Sequence, residues 1–184
     1  MRLTILLAGA ALSALALTAC DKAGSNATGP ETKAAQKAAG DQTITAGLGD
    51  SSKFAAAAKA AGLDATLAGP GPYTVLVPSD AAFEKMPAGA LDTLMKPEAR
   101  SDLTAVMTYH ILPGTILAAD IGKAIDAGKG KAQLPTMGGG TLTATRDGDT
   151  IVLADKAGTK ARLGTEEQRS NGVIQHIDAV MMPS

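Results

Sequence analysis

The apolar positions of this 184-residue chain change rhythm three times. Residues 3–17 form a nearly unbroken run of Leu, Ile, Ala, Gly, Thr and Ser, whereas residues 21–42 contain no Val, Ile, Leu or aromatic side chain. Helical spacing follows, with Phe54, Ala57, Ala58 and Ala61 on one face, Asp50-Ser51 placed to cap that helix and Gly62 to end it. Gly69-Pro70-Gly71-Pro72 forbids regular structure, and the β-branched Tyr73-Thr74-Val75-Leu76-Val77 predicts a strand stopped by Pro78. Ser79 then caps a helix with Asp80 in its first turn, where a negative charge suits the dipole. A further helix is expected over Pro97 to Thr108, buried through Leu103, Val106 and Met107, and a weaker one over Ala119 to Ala127.

Beyond residue 140 the pattern turns to strands. Thr141–Thr145 and Thr150–Leu153 flank Asp147-Gly148, a hairpin signal, Ala161-Arg162-Leu163 is a candidate next strand, and Gly172 to Met182 reads as one long strand ended by Pro183. Helices early and hairpins late predict an α+β domain with a mostly antiparallel sheet.

The first twenty residues set the compartment. Arg2 is the only charge before Asp21, and an apolar run of this length has the layout of a secretory signal while being short for a span of about 20 residues. Leu17-Thr18-Ala19-Cys20 resembles the bacterial lipobox, which implies cleavage after residue 19 and lipidation of Cys20. Cys20 is the only cysteine in the chain, and an acylation site explains it better than a free exported thiol does. Several acyl chains would anchor the protein stably, since each buried methylene contributes about 0.8 kcal/mol. Asp21 resembles an inner-membrane retention signal, which favours the periplasmic face of the inner membrane over the outer membrane. Residues 20–42 then read as a lipidated tether, spanning roughly 25 Å as a coil and about 70 Å fully extended.

Composition narrows the partners. Without the signal, 16 basic and 18 acidic side chains remain, scattered along the sequence. Two Phe, two Tyr and no Trp leave little for bases to stack on, so nucleic acid is excluded as a partner. The same scarcity of aromatics means a core of Ala, Val, Ile, Leu and Met, and one Cys cannot form an internal disulfide. Residues 43–184 are long enough for one domain with its own core.

Three segments of that domain, in order, are similar to the signature blocks of the fasciclin family. They are Tyr73-Thr74-Val75-Leu76-Val77-Pro78-Ser79-Asp80-Ala81-Ala82-Phe83, then Thr108-Tyr109-His110-Ile111-Leu112-Pro113-Gly114, and Ser170-Asn171-Gly172-Val173-Ile174-Gln175-His176-Ile177-Asp178. Ser79 replaces the family's usual Thr, and Gln175 stands where a His is common. The resemblance implies helices packed on a mostly antiparallel β-sandwich or wedge. It makes Ser79, Asp80, Phe83, Asn171, Gly172 and Asp178 structural motif residues, and Tyr109, His110, Ile111 and Leu112 a candidate partner surface.

Enzymatic chemistry is poorly supplied. Ser79, Asp80 and His110 have the residue types of a nucleophilic triad, but the Gly-x-Ser-x-Gly elbow is absent and helix capping accounts for Ser79 and Asp80. His110 and His176 are too few for a zinc site, and Asp147-Gly148-Asp149 lacks the further ligands of a calcium loop. Gly138-Gly139-Gly140 is expected to be a flexible strand connection. No cofactor or metal is expected. The resemblance implies an extracellular adhesion or protein-interaction role, so the expected function is a non-catalytic, lipid-anchored module that meets an envelope or cell-surface protein or a second copy of itself. The alternative is a carrier of an apolar ligand, for which Met86, Met95, Met107, Met137, Met181 and Met182 would supply adaptable surface, and the resemblance to the fasciclin family implies a carotenoid or lipid as such a ligand.

Overall fold

The structure is a computed structural model that describes residues 42–49 and 52–183. Cys20 and most of the tether therefore lie outside the described residues, as do the expected caps Asp50 and Ser51. Helix α1 covers Ile44–Gly47, α2 Lys53–Ala61 and α3 Asp64–Ala68, leading into strand β1 at Tyr73–Pro78. The cap of α2 is Ser52, whose Oγ accepts from Ala55 N at 3.1 Å. Its buried face is the expected Phe54, Ala57, Ala58 and Ala61, and Gly62 ends it at φ +77°.

After β1 come α4 (Asp80–Glu84) and α5 (Ala90–Leu94). The single helix expected from Pro97 is divided into a 3-10 turn at Pro97–Ala99 and α6 at Arg100–Tyr109. Such tightened first turns are common where a helix begins. Strand β2 (Ile111–Pro113) precedes α7 (Ala118–Ala127), which starts one residue earlier than expected. The Ala118 amide finds an acceptor in Glu166 Oε2 at 2.7 Å, so a distant side chain holds the helix end.

The remaining strands are β3 (Ala132–Pro135), β4 (Thr141–Asp147), β5 (Thr150–Ala154), β6 (Lys160–Arg169) and β7 (Gly172–Ile177). Asp147 pairs with Thr150, so the β4–β5 turn is centred one residue beyond the expected pair, with Gly148 at φ +61° followed by Asp149. The long final strand stops at Ile177 because its neighbour β1 ends there: Ile177 O accepts the last ladder bond from Ser79 N at 3.1 Å, and Ser79 is already the cap of α4.

All seven strands join in one sheet, ordered β2-β1-β7-β6-β5-β4-β3, and every pairing is antiparallel except β1 with β7. The expected two layers are thus parts of one bent sheet. A register shift between Leu163 and Glu166 breaks β6 where it passes from one half to the other. The edges approach each other at the far side, where Met137 N donates to Ile111 O at 2.8 Å. One core lies between the sheet and the helices and joins Val75, Val77 and Ile174 to Phe54, Leu103 and Val106. The other lies inside the bend, receives side chains from every strand, among them Leu76, Leu112, Leu134 and Leu153, and is closed by Ile121 and Ile125 of α7.

Candidate functional site

The first block fastens β1 to two helices. Ser79 Oγ accepts from Ala82 N at 3.2 Å and caps α4, while Asp80 Oδ1 accepts from Lys53 N at 3.0 Å, the first amide of α2. Phe83 is buried in the helix-side core. Both polar side chains therefore satisfy amides that helix ends leave without partners.

The central block lies inside the molecule. Tyr109, His110, Ile111 and Leu112 are 2, 1, 1 and 0% exposed, which corrects their reading as a partner surface: this conformation offers none of them to a protein outside. The physical reason is that α6 ends here and β2 begins, so Ile111 enters the helix-side core, Tyr109 and Leu112 enter the core inside the bend, and the His110 ring packs against Phe54. His110 Nδ1 lies 2.8 Å from Val106 O, and Met181 N lies 3.1 Å from Nε2. A carbonyl only accepts and an amide only donates, so the proton sits on Nδ1 and the ring is neutral. Burial lowers the His110 pKa to about 4, partly opposed by the bond to Val106 O. Tyr109 is raised by burial and by the Asp155 charge.

The glycine run connects β3 to β4 as expected, but Gly138 and Gly140 are a packing requirement over this block, which corrects their reading as merely flexible, while Gly139 has open space and is set by its φ of +81°. A Cβ on Gly140 would stand 2.1 Å from Tyr109 Cε2, and one on Gly138 would stand 3.0 Å from Tyr109 N. Gly138 N donates to Thr108 O at 3.1 Å, which pins the turn over the tyrosine. Met137, 46% exposed, is what this turn presents above the Tyr-His block.

The closing block is a junction of backbone groups. Asn171 Oδ1 accepts from Ile44 N at 2.8 Å, and Nδ2 donates to Leu67 O at 2.8 Å and Gly69 O at 2.7 Å. Gly172 follows because a Cβ there would meet Tyr73 O at 1.9 Å. Gln175 is fully buried, and its Nε2 donates at 2.6 Å to Glu166 Oε2, the oxygen that also holds α7. Where a histidine is common, this chain thus has an amide linking β7 to a helix end. Asp178 Oδ1 accepts from Arg162 N at 2.6 Å.

Ser79, Asp80 and His110 do not form a relay, since Ser79 and Asp80 accept from helix amides and both imidazole nitrogens face backbone groups. Among the described residues no three His, Cys, Asp or Glu side chains converge as metal ligands. The surface offers grooves instead. One of about 430 Å³ runs between the α4–α5 connection and residues 179–182, lined by Ala82, Met86, Pro87, Ala90, Val180 and Met182. Another of about 400 Å³ lies among α1, α2 and α3. Reading the sequence missed Glu166 and Asp155, which act on amides 48 and 27 residues away. No local spacing signals such pairs.

A family model described as the fasciclin domain matches residues 49–183. The chain belongs to the fasciclin-domain family. Its relatives include protein sll1483 of Synechocystis, 35% identical over 141 residues that cover 76% of this chain and 71% of that protein. Transforming growth factor-beta-induced protein ig-h3 of Sus scrofa is 39% identical over 131 residues, 70% of this chain but 17% of its own length. Immunogenic protein MPB70 of Mycobacterium bovis is 31% identical, with 61% of this chain and 51% of that protein covered. Among solved structures, a FAS1 domain pair from the insect cell adhesion molecule Fasciclin I aligns with a TM-score of 0.55 at 20% identity, covering 70% of this chain and 44% of that one. At that identity the likeness speaks for the fold alone.

Proposed function

We propose that this fasciclin-domain protein is a non-catalytic interaction module, held at an extracytoplasmic membrane face by a lipid on Cys20 and a tether over residues 21–42. One observation carries the non-catalytic part. Ser79, Asp80, His110 and Asn171, four polar side chains of the signature blocks, are engaged by backbone groups of the fold. A module whose polar blocks maintain its shape presents surfaces for contact with an envelope protein or a second copy. Support for the location comes from the lipobox-like Leu17-Thr18-Ala19-Cys20, and Asp21 favours the periplasmic face of the inner membrane. The mature protein on beads should cluster them or capture an envelope component. Beads that stay inert across protein and salt concentrations would refute the interaction reading. Cys20→Ser should abolish acyl labelling, and persistent labelling would refute the anchor.

A second reading, a carrier of an apolar ligand, is favoured by the groove beside Met86 and Met182. Its volume lies within the range of about 300–1,000 Å³ usual for small-molecule sites, and flexible thioethers adapt to irregular apolar shapes. Native mass spectrometry of protein taken gently from its host's membranes should then show stoichiometric bound mass. Its absence would remove the carrier.

A further inference from the structure

We propose that the strap following β7, residues 178–182, is a latch released by acid, and that its release removes one wall of the apolar groove. This inference requires neither an adhesion partner nor a carried ligand.

The strap leaves the sheet and is held by side chains. Its successive amides Met181 N and Met182 N donate to His110 Nε2 at 3.1 Å and Asp155 Oδ2 at 3.2 Å. His110 caps the end of α6, and Asp155 follows β5 and also accepts from Thr159 N at 2.8 Å. Two titratable acceptors from separate elements thus clasp adjacent residues of one segment. Apolar contacts complete the hold, with Val180 in the helix-side core and Met181 in the core inside the bend. At its start the strap is fixed independently of the histidine, since Asp178 Oδ1 takes Arg162 N and Asp178 O takes Lys85 Nζ at 2.8 Å. The hinge therefore falls at Asp178.

Protonation acts at one atom. His110 Nδ1 already carries a hydrogen directed at Val106 O, so an added proton must go to Nε2, where it points at the Met181 N–H. Turning the ring over gives no relief, because both nitrogens of an imidazolium are donors. The ring is enclosed by Val106 of α6, the Phe54 ring of α2 with centroids 6.0 Å apart, and the strap itself, while the His110 carbonyl accepts from Leu76 N of β1. The strap's one charged side chain, Asp178, is turned to Arg162 N, and none of the other neighbours carries a charge. The carboxylate nearest along the strap is Asp155, which accepts from the adjacent amide Met182 N. Relief comes when the strap lifts and water reaches Nε2, which withdraws Ala179, Val180 and Met182 from the groove.

The test uses the full mature chain with labelled methionine methyls, followed by NMR between pH 7 and pH 4. With the docked His110 pKa at about 4 and an exposed value of 6.5, the opening constant rises about twentyfold from pH 7 to pH 5. The Met181 methyl should move toward an exposed environment in step with titration of the His110 ring, while Met107, buried in the helix-side core, keeps its native signal. His110→Gln, whose amide oxygen accepts from Met181 N without titrating, should flatten the Met181 response. If that variant does not fold, the agreement between the His110 and Met181 midpoints in the unaltered chain decides. The latch is refuted if Met181 and Met107 leave their native positions together, or if His110 titrates while Met181 stays docked.

Discussion

Asn171 offers the sharpest test of how this domain is assembled. One side-chain amide joins the first residue of α1, the end of α3 and the turn before β1, through Ile44 N, Leu67 O and Gly69 O. Asn171→Ala removes all three bonds from a buried site. At about 1 kcal/mol net for each bond, and more for any backbone group left dry, the loss is about 3–5 kcal/mol of a total that for domains of this kind is about 5–15 kcal/mol. If α1 lifts away, water satisfies Ile44 N, but the burial of the Ile44 side chain is lost and the cost stays near 3 kcal/mol. Asn171→Asp separates hydrogen bonding from shape. It keeps the acceptor for Ile44 N but turns an oxygen toward two carbonyls and buries a charge, so it should be at least as damaging as alanine despite being nearly isosteric. Urea unfolding at neutral pH should show a midpoint drop of about 1.5–2.5 M for alanine, taking a slope of about 2 kcal/mol per molar. A loss under about 1 kcal/mol for alanine, or a milder effect for aspartate, would refute the account of Asn171 as the junction.

Gly140→Ala should destabilise by about 2–3 kcal/mol, because its Cβ would overlap the Tyr109 ring, whereas Gly139→Ala, which meets no atoms but sits at φ +81°, should lose about 1 kcal/mol. Thermal melts compare the two, and equal losses would refute the packing argument. Acid should weaken the domain through His110. Its pKa is lowered in the folded state, so the stability is complete above pH 6.5 and is lost as pH falls toward 4, by about 2 kcal/mol at pH 5 and about 3 kcal/mol at pH 4. Urea midpoints against pH should fall more steeply for the unaltered chain than for His110→Gln, and parallel curves would refute the assignment. Lys53→Ala should lose at most about 0.5 kcal/mol through its pair with Glu84, since both side chains are exposed, and that loss should shrink as salt is added. A loss above 1 kcal/mol would show the pair to be worth more than its exposure allows.

The signature blocks carry different kinds of information. Ser79 could be assigned from sequence because capping acts over three residues. Asp80 was legible only in part: its place in the first turn of α4 is local, but its bond to Lys53 N spans 27 residues. The Tyr-His block suggested a surface because aromatic and aliphatic residues beside a histidine suit either an interface or a core. The choice between them was made by the turn at Gly138–Gly140, which folds over Tyr109 from nearly thirty residues away.

What the sequence by itself determined are properties set by near neighbours along the chain. They include the apolar face and glycine stop of α2, the strand after Gly69-Pro70-Gly71-Pro72, the existence of the β4–β5 hairpin, the α+β class and the family blocks. Each rests on spacing, capping or turn chemistry acting within a few residues. Only the tertiary structure decided the parallel pairing of β1 with β7, the single bent sheet, the burial of Tyr109 to Leu112 and the halt of the last strand at Ile177. Those depend on which distant group satisfies a backbone amide: Asp80 for Lys53, Glu166 for Ala118, His110 for Met181 and Asp155 for Met182. A buried N–H must find an acceptor, yet nothing in its local sequence says which one, because the choice is made by the packing of the whole chain.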